Sequence, residues 1–180
     1  WPYVEVTGSA PGPRLCITGG VHVNELSSLQ AAIVLGQSFT PADLRGVVSI
    51  IPVVNLPALY DHAKILCPVD GVDIHWQYPG DRDGSFSEAL AHAILFDWSG
   101  DADALIDLHG GDMHEKFSRY TVWQKSGAAD LDAQNERIAR GFDADFVVGL
   151  EPRYMEARGR CCTAAAKLGR LSVVVEGGSE

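Results

Sequence analysis

The 180-residue sequence predicts an α/β fold, a three-layer α/β/α domain around a mixed and largely parallel sheet. Three observations carry that expectation. Short β-rich runs alternate with helical stretches along the whole chain, the pattern of layered α/β proteins. Several runs, VVSIIPVV and LSVVVE among them, are continuously apolar, as strands covered by helices on both faces must be. The length is that of one domain and is enough to bury a core without disulfide staples.

In chain order, strands are expected at Tyr3 to Val6 (YVEV), Arg14 to Thr18 (RLCIT) and Val47 to Val54, then at Ala104 to Leu108 (ALIDL) and Tyr120 to Trp123 (YTVW), and finally at Phe146 to Val148 and Leu171 to Glu176. Helices are expected between them. Glu25 to Gly36 follows the first glycine turn, and Ser85 to Trp98 follows a Pro-Gly-Asp segment. Ala128 to Phe142 carries Leu131, Ile138 and Phe142 close to helical spacing, and Arg160 to Leu168 opens on Cys161-Cys162. The stretch from Leu56 to Gly84 has no clear periodicity and is rich in Pro, Gly and Asp. A loop this long inside a compact domain is often functional.

Composition narrows the partners. Hydrophobic residues make up 46% and charged residues 21%, ordinary for a globular domain, but the formal net charge is −10. That charge argues against nucleic acid and anionic membranes, which need clustered Lys and Arg. No apolar run approaches the ~18 residues of a membrane span. Cys16, Cys67, Cys161 and Cys162 form no C-x-x-C pair, so a cysteine zinc site is disfavoured. With no disulfide pattern and no signal-peptide pattern, the expected compartment is the cytoplasm.

Three fragments carry chemistry. The first, GGVHVNE, places His22 and Glu25 three positions apart, just after the RLCIT strand and at a helix start. Sites in α/β sheets lie at the carboxyl ends of strands, and residues three apart on a helical turn share a face. A glutamate there is equally at home as a partner of the helix macrodipole. The second, ALIDLHGG, ends a buried strand in His109 before two glycines. Together the two fragments offer His, Glu and His, a set that leaves zinc one open position. Asp107 stands two residues before His109 on the same strand face, available as its outer partner or turned toward a helix N-terminus. The third, LSVVVEGGS, closes an apolar strand in Glu176. A carboxylate there suits a general base, a helix cap or an arginine partner.

The order H-x-x-E, D-L-H-G-G and a strand ending in E-G-G resembles the succinylglutamate desuccinylase/aspartoacylase family of zinc-dependent deacylases, relatives of the zinc carboxypeptidases. VVNLPA, PVDGVDIHWQYPGDRDGSFSEALAH and GRCCTAAAKLGRLSVVVEGG resemble further family segments, so the likeness runs along nearly the whole chain. The resemblance implies a zinc-carboxypeptidase-like fold and one Zn²⁺ per chain on His22, Glu25 and His109. It implies Glu176 as general base and a small-molecule N-acyl substrate, with Asn55 of VVNLPA near it. It also implies that residues 1–180 form the single catalytic domain and that the family's C-terminal β-rich domain is absent from this sequence.

The departures bear on substrate. Where the family carries Asn-Arg to hold a substrate carboxylate, this chain has His75-Trp76, which cannot grip a carboxylate bidentately. A family arginine that polarises the scissile carbonyl falls near Ile65, with Lys64 one residue away as a candidate point donor. Arg153, Arg158 and Arg160 lie upstream of Glu176, and Arg158 is counted among the candidate substrate contacts. Trp76 and Tyr78 admit a larger or more apolar substrate, or they pack beneath the Pro79-Gly80 turn. The leading function is amide-bond deacylation. The alternatives are a carboxypeptidase-like peptidase, which the missing Asn-Arg pair disfavours, and a zinc-binding but catalytically weak relative. Assembly as a homo-oligomer is compatible with the sequence.

Overall fold

The computed structural model describes residues 1–63, 65–112, 114–156 and 158–178. Its seven strands are β1 (Val4–Thr7), β2 (Ala10–Thr18), β3 (Arg45–Ile51), β4 (Ala104–His109), β5 (Tyr120–Gln124), β6 (Phe146–Leu150) and β7 (Leu171–Glu176). They form one sheet in the order β1-β3-β2-β4-β7-β5-β6. Pairs β2–β3, β2–β4, β4–β7 and β5–β6 are parallel, whereas β1–β3 and β5–β7 are antiparallel. The sheet is therefore mixed and mostly parallel.

The apolar runs are explained by burial on both faces. Along three neighbouring central strands, adjacent residues enter different cores. Cys16, Leu105 and Val174 face one side with Leu90, Ile94, Leu95 and the helix that begins at Cys161. Ile17, Ile106 and Val173 face the other with Ala32 and Ala139. The layers are α1 (Leu26–Ser38) and α4 (Ala129–Arg140) on the second side, and α3 (Phe86–His92) with α5 (Cys161–Lys167) on the first; α2 (Leu56–Tyr60) is a short helix at the end of β3. All four cysteines are free and buried, consistent with apolar packing roles.

Differences from the sequence expectation have local causes. The helix expected from Ser85 to Trp98 divides: α3 ends at His92 and the chain continues as a π-helical turn, Ala93–Trp98. Ser85 and Glu88 form a complete capping box at the start of α3. The strand expected to reach Val54 stops at Ile51, where Gly19 donates its N–H to the Ile51 carbonyl and Val54 donates to Gly19. Within the long 56–84 stretch, α2 and a 3₁₀ turn at Ile74–Trp76 are the regular pieces.

Because β2, β4 and β7 are parallel neighbours, their carboxyl ends open on one edge of the sheet. His109 and Glu176 are register partners there.

Candidate metal centre

The first piece of the site follows β2. Gly20 turns with φ +63, and a Cβ at this position would stand 3.0 Å from the Pro52 carbonyl oxygen. Its own carbonyl accepts the Asn55 N–H at 2.9 Å. This clasp fixes the chain that presents His22 and Glu25. Glu25 occupies the N-cap position of α1 but makes no side-chain cap bond; its carboxylate is used elsewhere. Oε1 lies 2.6 Å from His22 Nδ1, and Oε2 lies 2.9 Å from His109 Nδ1. The Gly110 N–H donates to the same Oε2 at 3.2 Å. Residues 84 positions apart thus meet across one carboxylate.

Each imidazole is held at its far nitrogen by a second carboxylate. His22 Nε2 is 3.0 Å from Asp73 Oδ1, and His109 Nε2 is 3.1 Å from Asp107 Oδ2. Asp107 is fully buried and accepts a hydrogen bond from Thr18 Oγ1 at 2.7 Å. Asp73 is the N-cap of the Ile74–Trp76 turn and also accepts from the His75 N–H at 2.9 Å. Sequence reasoning missed Asp73. Its only sequence signal is an Asp two residues before His75, suited to an Asx-type cap.

The electrostatics follow from this crowding. Burial pushes the His22 pKa down, but hydrogen bonds to Asp73 and Glu25 outweigh it and hold the value at about 9. Burial likewise opposes the charged form of His109, yet Asp107 and Glu25 keep its pKa well above the ordinary value. Burial disfavours ionised Glu25, but His109 and His22 draw its pKa down to about 2. Three carboxylates surround two imidazoles, which without another cation favours the doubly protonated, cationic form of both rings. If the Nε2 atoms donate to Asp73 and Asp107, both Nδ1 lone pairs face Glu25. Only a proton or a metal ion makes that arrangement favourable. The donor set, two imidazole nitrogens and one carboxylate, is one that Zn²⁺ accepts, and carboxylate-anchored histidines are the usual surroundings of such an ion.

Glu176 is partly buried, and no hydrogen bond or ion pair holds its carboxylate among the described residues. Burial raises its pKa to about 7; His109 lowers it, and the charges of Glu25 and Asp107 raise it further.

The other predicted residues sit as follows. His75 is buried, at 4% exposure, with its ring centroid 4.7 Å from His109 and 5.6 Å from His22. Among the described residues its Nδ1 has no hydrogen-bond partner. Burial, then repulsion from His109 and His22, keeps this ring neutral. With Asp107 and His109 it forms a second, fully buried grouping of ligand-type atoms. His22, Glu25 and His109 form the grouping with partial access to solvent. Asn55 is buried and caps α2, its side chain accepting from the Ala58 N–H. Arg158 pairs with Glu88. Trp76 is 45% exposed, and the Arg160 guanidinium lies 4.4 Å above its ring. Lys64 lies outside the described residues.

Comparison with known proteins adds the family context. Residues 11–180 match the model of the succinylglutamate desuccinylase/aspartoacylase catalytic domain. The N-alpha-acetyl-L-2,4-diaminobutyric acid deacetylase of Halomonas elongata is 26% identical over 173 residues, which cover 96% of this chain and 50% of that protein. The chain thus spans about half the length of this curated relative. A succinylglutamate desuccinylase/aspartoacylase structure from Rhodobacter sphaeroides superposes with a TM-score of 0.84 at 28% identity, covering 99% of this chain and 51% of that one. An aspartoacylase family protein from Mesorhizobium loti superposes with a TM-score of 0.81 at 26% identity, covering 98% and 55%.

Proposed function

Because the chain belongs to the succinylglutamate desuccinylase/aspartoacylase catalytic-domain family, we propose that it hydrolyses an N-acyl amide bond in a zinc-dependent reaction, releasing a carboxylate and a free amine. The observation that carries this reading is the Glu25 carboxylate set between two Nδ1 atoms whose rings are anchored behind by carboxylates. The deacetylase likeness supports an N-acylated amine as substrate.

In this reading His22, Glu25 and His109 hold one Zn²⁺. When bound, the ion supplies Lewis acidity toward the amide carbonyl and a water whose pKa falls to about 7. Asp73 and Asp107 fix the tautomer and orientation of the two imidazoles. Glu176 is the general base. Its carboxylate takes a proton from water as the new C–O bond forms, then gives that proton to the leaving nitrogen as C–N breaks. A carboxylate of raised pKa suits both halves of this transfer, and a neighbouring cation favours its base form at neutral pH. Lys64 is proposed as the point charge at the carbonyl oxygen, and His75, Trp76, Arg158 and Asn55 as the substrate surroundings. Arg158 must give up its Glu88 partner to touch substrate, and Asn55 acts by holding the backbone of the site from beneath.

The test pairs metal analysis with turnover of N-acetyl amino acids. The wild type is expected to hold about one zinc per chain, and Glu176→Gln to keep that zinc while losing roughly 10²–10⁴-fold in kcat. Equal turnover by the two proteins would refute the role of Glu176.

A further inference from the structure

A second set of ligand-type atoms adjoins the candidate centre, and the proposed reaction does not use it to hold metal. His75, Asp107 and His109 each bring one such atom, all within 4.8 Å of one another, and all three residues are buried. The local fold explains why they meet. Asp107 and His109 stand two residues apart on β4 and share a strand face. Asp73 caps the Ile74–Trp76 turn by accepting the His75 N–H at 2.9 Å, and the ring this turn presents lies 4.7 Å from that of His109.

Three observations point to a cation there. His75 is 4% exposed, yet its Nδ1 has no hydrogen-bond partner among the described residues. A ring nitrogen that has lost water without gaining a partner is unfavourable, and the residue that carries it reaches two further ligand-type groups. The second observation is spacing. His109 Nε2 and Asp107 Oδ2 are 3.1 Å apart, a hydrogen bond in the metal-free chain. Two ligands at about 2.0–2.1 Å from a tetrahedral zinc stand about 3.3 Å apart, so this pair needs little movement to share an ion. The carboxylate is fixed in place, with Thr18 Oγ1 donating to Oδ1 at 2.7 Å and the Cys161 thiol donating to Oδ2 at 3.5 Å. The third observation is charge. One divalent ion offsets only two of the three negative charges of Glu25, Asp73 and Asp107, all of which face His22 or His109.

Resting on the zinc ion of the deacylase reading above, we propose that the chain binds a second divalent transition-metal ion at a deeper position formed by His75, Asp107 and His109, with His109 bridging the two ions. The first ion takes Nδ1, on the Glu25 side of the ring, and the second takes Nε2, on the Asp107 side. Nε2 gives its proton to solvent as its lone pair passes to the ion. Two imidazoles and a carboxylate are a donor set that Zn²⁺ accepts. The first position has partial access to solvent and the deeper one is fully buried, so the first fills first and the deeper one fills with excess metal.

Equilibrium dialysis of the purified chain against zinc, with bound metal read by atomic emission, tests this without recourse to turnover. The wild type is expected to hold one zinc per chain at low free zinc and two at excess. His75→Phe, which keeps a ring in place but no ligand atom, should hold the first and lose the second, and Glu176→Gln should hold both. A wild type that stops at one zinc, a His75→Phe chain that still takes up two, or a second zinc that Glu176→Gln removes overturns the proposal. If circular dichroism shows His75→Phe unfolded, zinc K-edge absorption of the wild type decides. Between one zinc per chain and two, the imidazole count must stay near two per zinc, because each ion has two rings. A count that falls toward one, the mark of an adventitious ion on surface carboxylates, overturns the proposal. The two readings fail separately. A first zinc that His22→Ala weakens, with no second at any concentration, sinks this inference alone, whereas a chain that binds no zinc at all sinks the zinc-dependent reaction and this inference with it.

Discussion

At the residue scale, the candidate metal centre is a problem of charge placement. Glu25, Asp73 and Asp107 each keep their position by facing an imidazole, and the imidazoles keep theirs by carrying protons or sharing an ion. This predicts how the metal-free chain responds to pH. The folded pKa of His22 is raised from 6.5 to about 9, so its contribution to stability is fully present below about 6.5 and is lost as pH rises through 9. The folded pKa of Glu25 is lowered from 4.5 to about 2, so its contribution is present above 4.5 and lost as pH falls through 2. In EDTA the melting temperature should therefore fall between pH 6.5 and 9. Saturating zinc should remove most of that fall, because the ion replaces the protons. Thermal unfolding at several pH values, with and without zinc, checks this. The outer carboxylates carry a second prediction: Asp73→Asn or Asp107→Asn should weaken zinc affinity by about 10–100-fold while leaving the three inner side chains in place, measured by competition with a chromophoric chelator. His109 and Glu176 stand out in the sequence because each ends a strand before two glycines, and His22 and Glu25 because they follow the Gly19-Gly20 turn at a helix start. Asp73 was not, since its tie to His22 spans 51 positions and lies in a stretch without periodicity. Asn55 stands out in VVNLPA, yet its side chain caps a five-residue helix with Pro57 in the first turn, a start signal that the missing periodicity of 56–84 obscured.

At the element scale, the strands were legible for a physical reason. A strand covered on both faces has no polar side to interrupt it, so LSVVVE and VVSIIPVV read as continuous apolar runs. Their ends were harder, because hydrogen bonding in the turns decides where they stop. The break at His92 into a π-helical turn was invisible to helical spacing, which α and π segments largely share. Burial of Leu105, at 2% exposure, in the core it shares with Leu90 of α3 and Cys161 of α5 means that Leu105→Ala should cost about 2–5 kcal/mol, read from urea denaturation. Gly20 gives a second test of an element joint. Its φ of +63 and the nearness of the Pro52 carbonyl oxygen mean that Gly20→Ala should cost on the order of 1–2 kcal/mol and weaken zinc binding with it, by displacing the clasp that presents His22.

At the scale of the whole molecule, strand order converts sequence distance into proximity. His22, Glu25, His109 and Glu176 come from three segments, and the parallel arrangement β2-β4-β7 gathers their ends at one edge of the sheet. At the candidate centre three carboxylates, Glu25, Asp73 and Asp107, face two imidazoles, an excess of negative charge that a divalent cation would relieve. The central proposal is one ion shared by His22, Glu25 and His109. Zinc K-edge absorption of the zinc-loaded chain tests it most directly. The prediction is two imidazole nitrogens at about 2.0–2.1 Å with carboxylate or water oxygen and no sulfur, with the imidazole count falling in His22→Ala. A sulfur shell near 2.3 Å, or a spectrum unchanged by His22→Ala, would contradict it.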